Sequence, residues 1–174
     1  LSIYQSDGIV QSISDKITTS KPGESLHLKG LCGSLDTVLM SALLKEQQPF
    51  LIICEEKEEA QYVYNDLQAL VGDTAVTLFP MSHKKPYEWE EVDNANVLLR
   101  AEVLNMLSNY SGQSLAIVSY PAAMTEKVIN RKSLVKNTLS IRVGDKIDRN
   151  FVAETLNEYD FERTDFVYEA GQYS

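Results

Sequence analysis

The spacing of apolar positions changes several times along the chain, and each change predicts an element. Ser25 to Lys29 (SLHLK) alternates apolar and polar, which predicts a first strand, and leads into Gly30 and Gly33. Leu35, Val38, Leu39, Ala42 and Leu43 then share one face of a helix expected over Ser34 to Lys45. Phe50 to Cys54 is a continuous apolar run, as expected of a strand buried on both faces. Glu55, Glu56, Glu58 and Glu59 crowd the start of a helix reaching Val71, where Gly72-Asp73 stops it. Ala75 to Phe79 predicts a third strand, followed by a loop bounded by Pro80 and Pro86. A helix over Asn94 to Asn109 should turn Val97, Leu98, Ala101, Leu104 and Leu107 inward. Leu115 to Val118 predicts a fourth buried strand, and Pro121 suits the first position of a short helix.

Strands alternating with helices imply an α/β domain with a parallel sheet and helices on both faces, occupying residues 1–128. The pattern then changes. Leu139 to Val143 predicts a strand, Gly144-Asp145 a turn, and Asp148 to Tyr159 a helix with Asp148 as N-cap. Phe161 to Tyr173 predicts a strand running into a turn at Gly171. Residues 129–174 therefore read as the opening of a second, smaller α+β domain. With no initiator Met and a last residue in mid-strand, the sequence is expected to be part of a longer polypeptide.

Charge and composition narrow the function classes. Sixteen basic against 25 acidic residues give a net charge of -9 in 174 residues, which disfavours an extended phosphate-binding surface. No apolar run is long enough to cross a membrane, and the first residues lack the basic and apolar regions of a secretion signal, so a cytoplasmic location is expected. Cys32 and Cys54 lie in apolar contexts with no Cys-x-x-Cys pair, and are expected to be reduced, buried thiols.

Gly30-Leu31-Cys32-Gly33-Ser34-Leu35-Asp36-Thr37 stands where a phosphate-binding loop would, between a predicted strand and a predicted helix. A working loop of the form G-x-x-x-x-G-K-[ST] uses its second glycine for close backbone approach, its lysine for the β/γ-phosphate oxygens and its hydroxyl for magnesium. Gly30 and Thr37 keep the spacing, but Leu35 replaces that glycine and Asp36 the lysine. A carboxylate for an ammonium turns attraction into a repulsion of a few kcal/mol in a partly buried site. Leu35 is expected to fill space the phosphates would need. On the residues alone, Gly-x-x-Gly before a helix is a weak signal, and a tight strand-to-helix turn is favoured over a relic of nucleotide binding.

Further residues add to this loop. Phe79-Pro80, Pro86-Tyr87-Glu88, a helix carrying Arg100, the run from Leu139 to Arg149 and the segment Phe161-Glu162-Arg163-Thr164-Asp165 follow in order. Together they resemble the N-terminal UvrB-homology module of the bacterial transcription-repair coupling factors (Mfd) over nearly the whole chain. Leu139 to Asp165 is also similar to UvrB itself. UvrB, however, has an intact P-loop and a long Tyr-rich hairpin, for which the linker between Pro80 and Asn94 is too short. The resemblance implies a UvrB domain 1a-type, degenerate P-loop unit followed by the beginning of a domain 2-like unit. It implies a non-catalytic module with no cofactor that recruits UvrA in transcription-coupled nucleotide excision repair and contributes to autoinhibition. Other domains of the same polypeptide would be partners, and downstream domains would engage RNA polymerase and DNA and carry the ATP-dependent translocase (hydrolase) activity. Arg163 matches the arginine of UvrB's aromatic-x-Arg-Asn-Asp segment and so is the residue implied in UvrA binding. A planar guanidinium suits a carboxylate partner, although Asp165 and Glu154 are equally available to it.

The competing readings are an active P-loop NTPase or excinuclease fragment, opposed by Leu35 and Asp36, and a DNA-binding domain, opposed by the net charge. Tyr87 and Trp89 read as loop packing, Lys84-Lys85 as a solvated pair, and the four glutamates as a helix start. His27 and His83 have no nucleophile in a recognisable setting. Arg131, Lys132 and Lys136 form the densest basic cluster, at the proposed domain junction.

Overall fold

Leu115–Ser119, apolar at its first four positions and buried throughout, is the middle strand (β3) of a three-stranded parallel sheet in this computed structural model. The structure describes residues 2–44, 49–72, 75–83, 92–136, 139, 141–159, 161–168 and 171–174. Strand β1 (Pro49–Ile53) pairs with β3 from Pro49 opposite Leu115 to Ile53 opposite Ser119. Strand β2 (Val76–Leu78) pairs on the other side, Val76 opposite Ala116. The order β1-β3-β2 explains why only β3 is buried at every position.

Helices cover both faces, as the alternating pattern predicts. On one face α4 (Lys57–Val71) lays Ala60 and Leu67 against Val76, Leu78, Ala116 and Val118. On the other, α5 (Asn94–Ser108) packs Val103 against Phe79, Leu115 and Ile117. Two N-terminal helices, α1 (Ser2–Gln5) and α2 (Gly8–Thr19), precede α3 (Leu35–Leu43), and Ile13 of α2 packs against Leu39 and Leu43. Asp7 caps α2 by accepting from the Ile9 and Val10 amides, at 2.8 and 3.3 Å. After β3 come α6 (Pro121–Thr125), with Pro121 at its first turn, α7 (Arg131–Lys136) and α8 (Arg149–Glu158). Asp148 caps α8 through the Asn150 amide at 2.9 Å, as predicted.

Four expectations are corrected. Ser25 to Lys29 is irregular and exposed rather than a strand, because among the described residues no neighbour takes up its backbone groups. Leu139 and residues 141–143 are irregular and exposed, because Asp145 takes up the Arg142 amide (2.8 Å) and carbonyl (3.0 Å) in a local turn instead of a ladder, while Ser140 lies outside the described residues. Phe161 to Tyr173 is not one strand: β4 (Glu162–Arg163) and β5 (Gln172–Tyr173) are two short strands paired in parallel, with Gly171 at φ 95° between them. Finally β1 is not buried on both faces, since Leu51 and Ile53 are 51% and 57% exposed at the sheet edge.

The face of α5 also differs from the expectation. Arg100 and Val103 are its buried residues, whereas Val97, Leu98, Ala101 and Leu107 are exposed and Leu104 is half-buried. Hydrophobicity alone selects the apolar flank. The helix instead turns toward the sheet the flank that carries an arginine with hydrogen-bond partners waiting there.

Candidate functional site

The glycine-rich loop has the backbone of a tight turn. Gly30 and Gly33 sit at φ 84° and 59°, where a side chain would be strained, so these two positions need glycine. The loop does not hang from a strand, however, because the residues before it are irregular. Leu35 is partly exposed rather than filling the loop, which corrects that expectation. Asp36 turns its carboxylate onto its own helix start, accepting from the Thr37 amide at 2.7 Å and the Thr37 hydroxyl at 3.3 Å. The positive end of α3 thus already holds an anion, and the hydroxyl a working loop would offer to magnesium faces a carboxylate.

A connected polar cluster lies elsewhere, where the chain leaves β2 and β3. Arg100 is 5% exposed; its Nη1 donates to the carbonyls of Pro80 (2.7 Å) and Ala123 (3.1 Å). Its guanidinium lies 4.1 Å over the Phe79 ring, and its Nε is 3.6 Å from Oε1 of Glu126. The Glu126 carboxylate accepts from the Ser82 amide at 2.8 Å and from the Ser82 hydroxyl. Ser119 Oγ donates to the Phe79 carbonyl at 2.9 Å, Tyr120 Oη accepts from the Met81 amide at 3.0 Å, and the Asp93 amide donates to the Ser82 carbonyl at 2.8 Å. In open α/β sheets this carboxyl edge is where ligands bind. Here the chain's own groups occupy the Phe79 and Pro80 carbonyls, the Met81 amide and the amide, hydroxyl and carbonyl of Ser82, while among the described residues the buried Nη2 of Arg100 has no hydrogen-bond partner.

Burial would raise the Glu126 carboxyl, but the two Ser82 hydrogen bonds, Arg100 and His83 outweigh it and hold the group below the usual carboxylate range. Burial lowers the Arg100 guanidinium against the opposing pull of Glu126 and Tyr120. A depressed carboxyl contributes stability that is present above its unfolded value, about 4.3, and is lost as pH falls through the folded one. Glu126→Gln should therefore lower the urea midpoint near neutral pH, and the gap from wild type should close as pH falls below 4. A gap independent of pH would mean that the carboxylate charge contributes nothing there.

In the C-terminal segment, Arg163 is exposed on β4. Neither Asp165 nor Glu154 holds it, and among the described residues its guanidinium has no ion-pair partner. Arg149 at the start of α8 lines the same groove, of about 500 Å³, with Leu156 and Tyr173 as apolar walls. This groove is far along the chain from the loop at Gly30, so the predicted site residues fall into two separate places.

No protein-family model matches the chain. It is 31% identical over 149 residues to the transcription-repair-coupling factor of Bacillus subtilis strain 168. The chain is homologous to part of a transcription-repair-coupling factor. The alignment takes in 84% of this chain and 12% of the relative, so the chain spans about an eighth of that factor's length.

The other candidate residues are placed as follows. Cys54 is buried, and burial, with Glu59 and Asp36 nearby, pushes its thiol up. Cys32 is free but exposed, which corrects the expectation of a buried thiol; residues 21–35 around it are exposed throughout. Glu59 accepts from the Glu55 amide at 2.6 Å, the work of a helix start. His27 lies exposed in the irregular segment, and His83 forms an isolated antiparallel bridge with Val92. Lys84, Lys85, Pro86, Tyr87, Glu88 and Trp89 lie outside the described residues. Among the described residues no helix is long and apolar enough to cross a membrane. Sequence reasoning missed Glu126 and Ser82, which carry no motif; an arginine embedded in the apolar run VLLRAEVL was the available signal for Arg100.

Proposed function

We propose that this chain is a non-catalytic module of a transcription-repair coupling factor that recruits UvrA through its C-terminal part, with the division between its two units at residues 128/129. The observation that carries this reading is an exposed Arg163, without an ion-pair partner among the described residues, sharing a groove with Arg149 on a chain homologous to that factor. Two guanidinium forks beside apolar walls suit a partner surface bearing carboxylates. Asp36 on the α3 terminus, and the internal partners of the Pro80 carbonyl and of Ser82 at the carboxyl edge, support the absence of a nucleotide cofactor and of catalysis here. Autoinhibitory packing against other domains of the parent belongs to the same reading. So do engagement of RNA polymerase and DNA, and ATP-driven translocation, by the rest of the parent.

The test is a titration with purified UvrA, using this chain and a version extended through the natural continuation of its second unit. Arg163→Glu should weaken binding by about 1–3 kcal/mol, the loss of a charge-assisted hydrogen bond. Binding by neither form, or binding indifferent to Arg163→Glu, would overturn the assignment.

A further inference from the structure

The hydrogen bonds of the short pair β4–β5 fix which way each residue of β4 faces. The Glu162 amide donates to the Gly171 carbonyl and the Thr164 amide to the Tyr173 carbonyl, both at 2.8 Å. Along a strand the N–H and C=O of one residue point to the same side, and that side alternates from residue to residue. The amide and carbonyl of Arg163, between them, therefore face away from β5. β4 pairs with β5 alone, so among the described residues no strand takes up these two groups.

The same residue turns its side chain to the groove. Arg163 stands opposite Tyr173 in the ladder, so the two side chains share one sheet face, the one toward α8, where the Tyr173 hydroxyl donates to Oδ1 of Asn157 at 3.0 Å. Ile147, Val152 and Leu156 supply apolar walls, and Arg149 is the second cation. Among the described residues no carboxylate side chain lines this groove, although the whole chain carries a net charge of -9. Glu162 and Thr164 belong to the opposite face by alternation. A local concentration of positive charge thus borders an open strand edge.

An open edge is a template for a further strand, and in recognition by strand addition the main-chain bonds give affinity while side-chain contacts give specificity. In an antiparallel pair, the residue facing Arg163 exchanges both main-chain bonds with it and holds its own side chain on the same face, with the Cα atoms about 5.5 Å apart. An aspartate or glutamate at that place meets the Arg163 fork and enters the groove that Arg149 also lines.

We infer that the partner docks on β4 as an added strand, an extended segment with an acidic residue opposite Arg163 whose carboxylate is shared by Arg163 and Arg149. The inference rests on the proposed UvrA reading and deepens it, assigning to binding the main chain of Arg163 as well as its charge.

Amide hydrogen exchange resolved by NMR, on the chain free and saturated with purified UvrA, reads that main chain directly. In the free chain the Arg163 amide should exchange faster than those of Glu162 and Thr164. UvrA should slow it by about tenfold or more, as for an amide drawn into a hydrogen bond, and should slow its two neighbours less. Arg149→Gln should weaken binding by about tenfold, the loss of one charge-assisted hydrogen bond. Arg149→Lys should weaken it less, since an ammonium keeps the charge without the fork. An Arg163 amide already protected in the free chain overturns the inference, because the edge is then occupied. UvrA that binds without slowing this amide also overturns it, and leaves the UvrA reading standing on side-chain contacts alone. Binding indifferent to Arg149→Gln overturns the shared carboxylate and with it the inference. Absence of any UvrA binding overturns the UvrA reading itself, and the inference falls with it.

Discussion

Replacing Arg100 with alanine is expected to destabilise the chain by about 3–5 kcal/mol, the usual consequence of removing one partner of a buried, hydrogen-bonded pair. The carbonyls of Pro80 and Ala123 would lose their donor, Glu126 its countercharge, and Phe79 the guanidinium stacked on its ring. Against a typical domain stability of about 5–15 kcal/mol, that loss is a large share of the whole. Arg100→Met, which keeps an aliphatic stem over Phe79, should recover little, because the stranded acceptors dominate. The double variant Arg100→Met/Glu126→Gln should recover more than Arg100→Met alone, since it leaves no uncompensated charge. Urea unfolding with both singles and the double measures the coupling. A loss below about 1 kcal/mol for Arg100→Ala would show that the cluster is a surface ornament rather than the joint between strand exits and α6.

Leu67→Ala should cost about 2–5 kcal/mol, the range for emptying a buried leucine site. Leu67 is fully buried, and with Ala60 it makes the whole buried face of α4. Its neighbours are Val76, Leu78, Ala116 and Val118 on strands whose backbones are fixed by the parallel ladder, so the site can collapse only in part. Leu67→Met, which conserves volume, should cost less than about 1.5 kcal/mol. Equal losses for the two variants would mean that α4 is held by something other than packing at this position. Unlike Arg100→Ala, this substitution leaves the polar groups of residues 79–82 intact. It should therefore lower stability without altering the pH response attributed to Glu126.

These two residues also show how far the pattern of side chains carries. Leu67 belongs to a helix predicted from its acidic start and its stop at Gly72, and its burial agrees with the ordinary hydrophobic ranking. Arg100 lies on a helix equally well predicted in extent, yet its burial runs against every hydrophobic ranking. The difference is that Leu67 needs only an apolar surface, available anywhere on the sheet. Arg100 needs two carbonyls and a carboxylate brought to one point from residues 80, 123 and 126. Similarly, SLHLK has the alternation of a strand, but a strand exists only where another offers its ladder, and alternation does not say whether one does. Arg163 was legible as a candidate from its segment. That Asp165 and Glu154 leave it unpaired, and that Arg149 shares its groove, required the placement of α8 against β4 and β5.

The sequence by itself determined the α/β class, the extents of β3, α4, α5 and α8, the cap at Asp148, the helix start at Pro121, and the substitution of Leu35 and Asp36 in the glycine-rich loop. These depend on the period of apolar positions, on local backbone chemistry, or on the identity of single residues. Only the tertiary structure decided the strand order β1-β3-β2, which face of α5 turns inward, the exposure of Leu51 and Ile53, and the meeting of Arg100, Glu126 and Ser82. Each of these depends on which distant groups become neighbours. That is settled by the summed burial and hydrogen bonding of the whole chain, and no local window of sequence contains it.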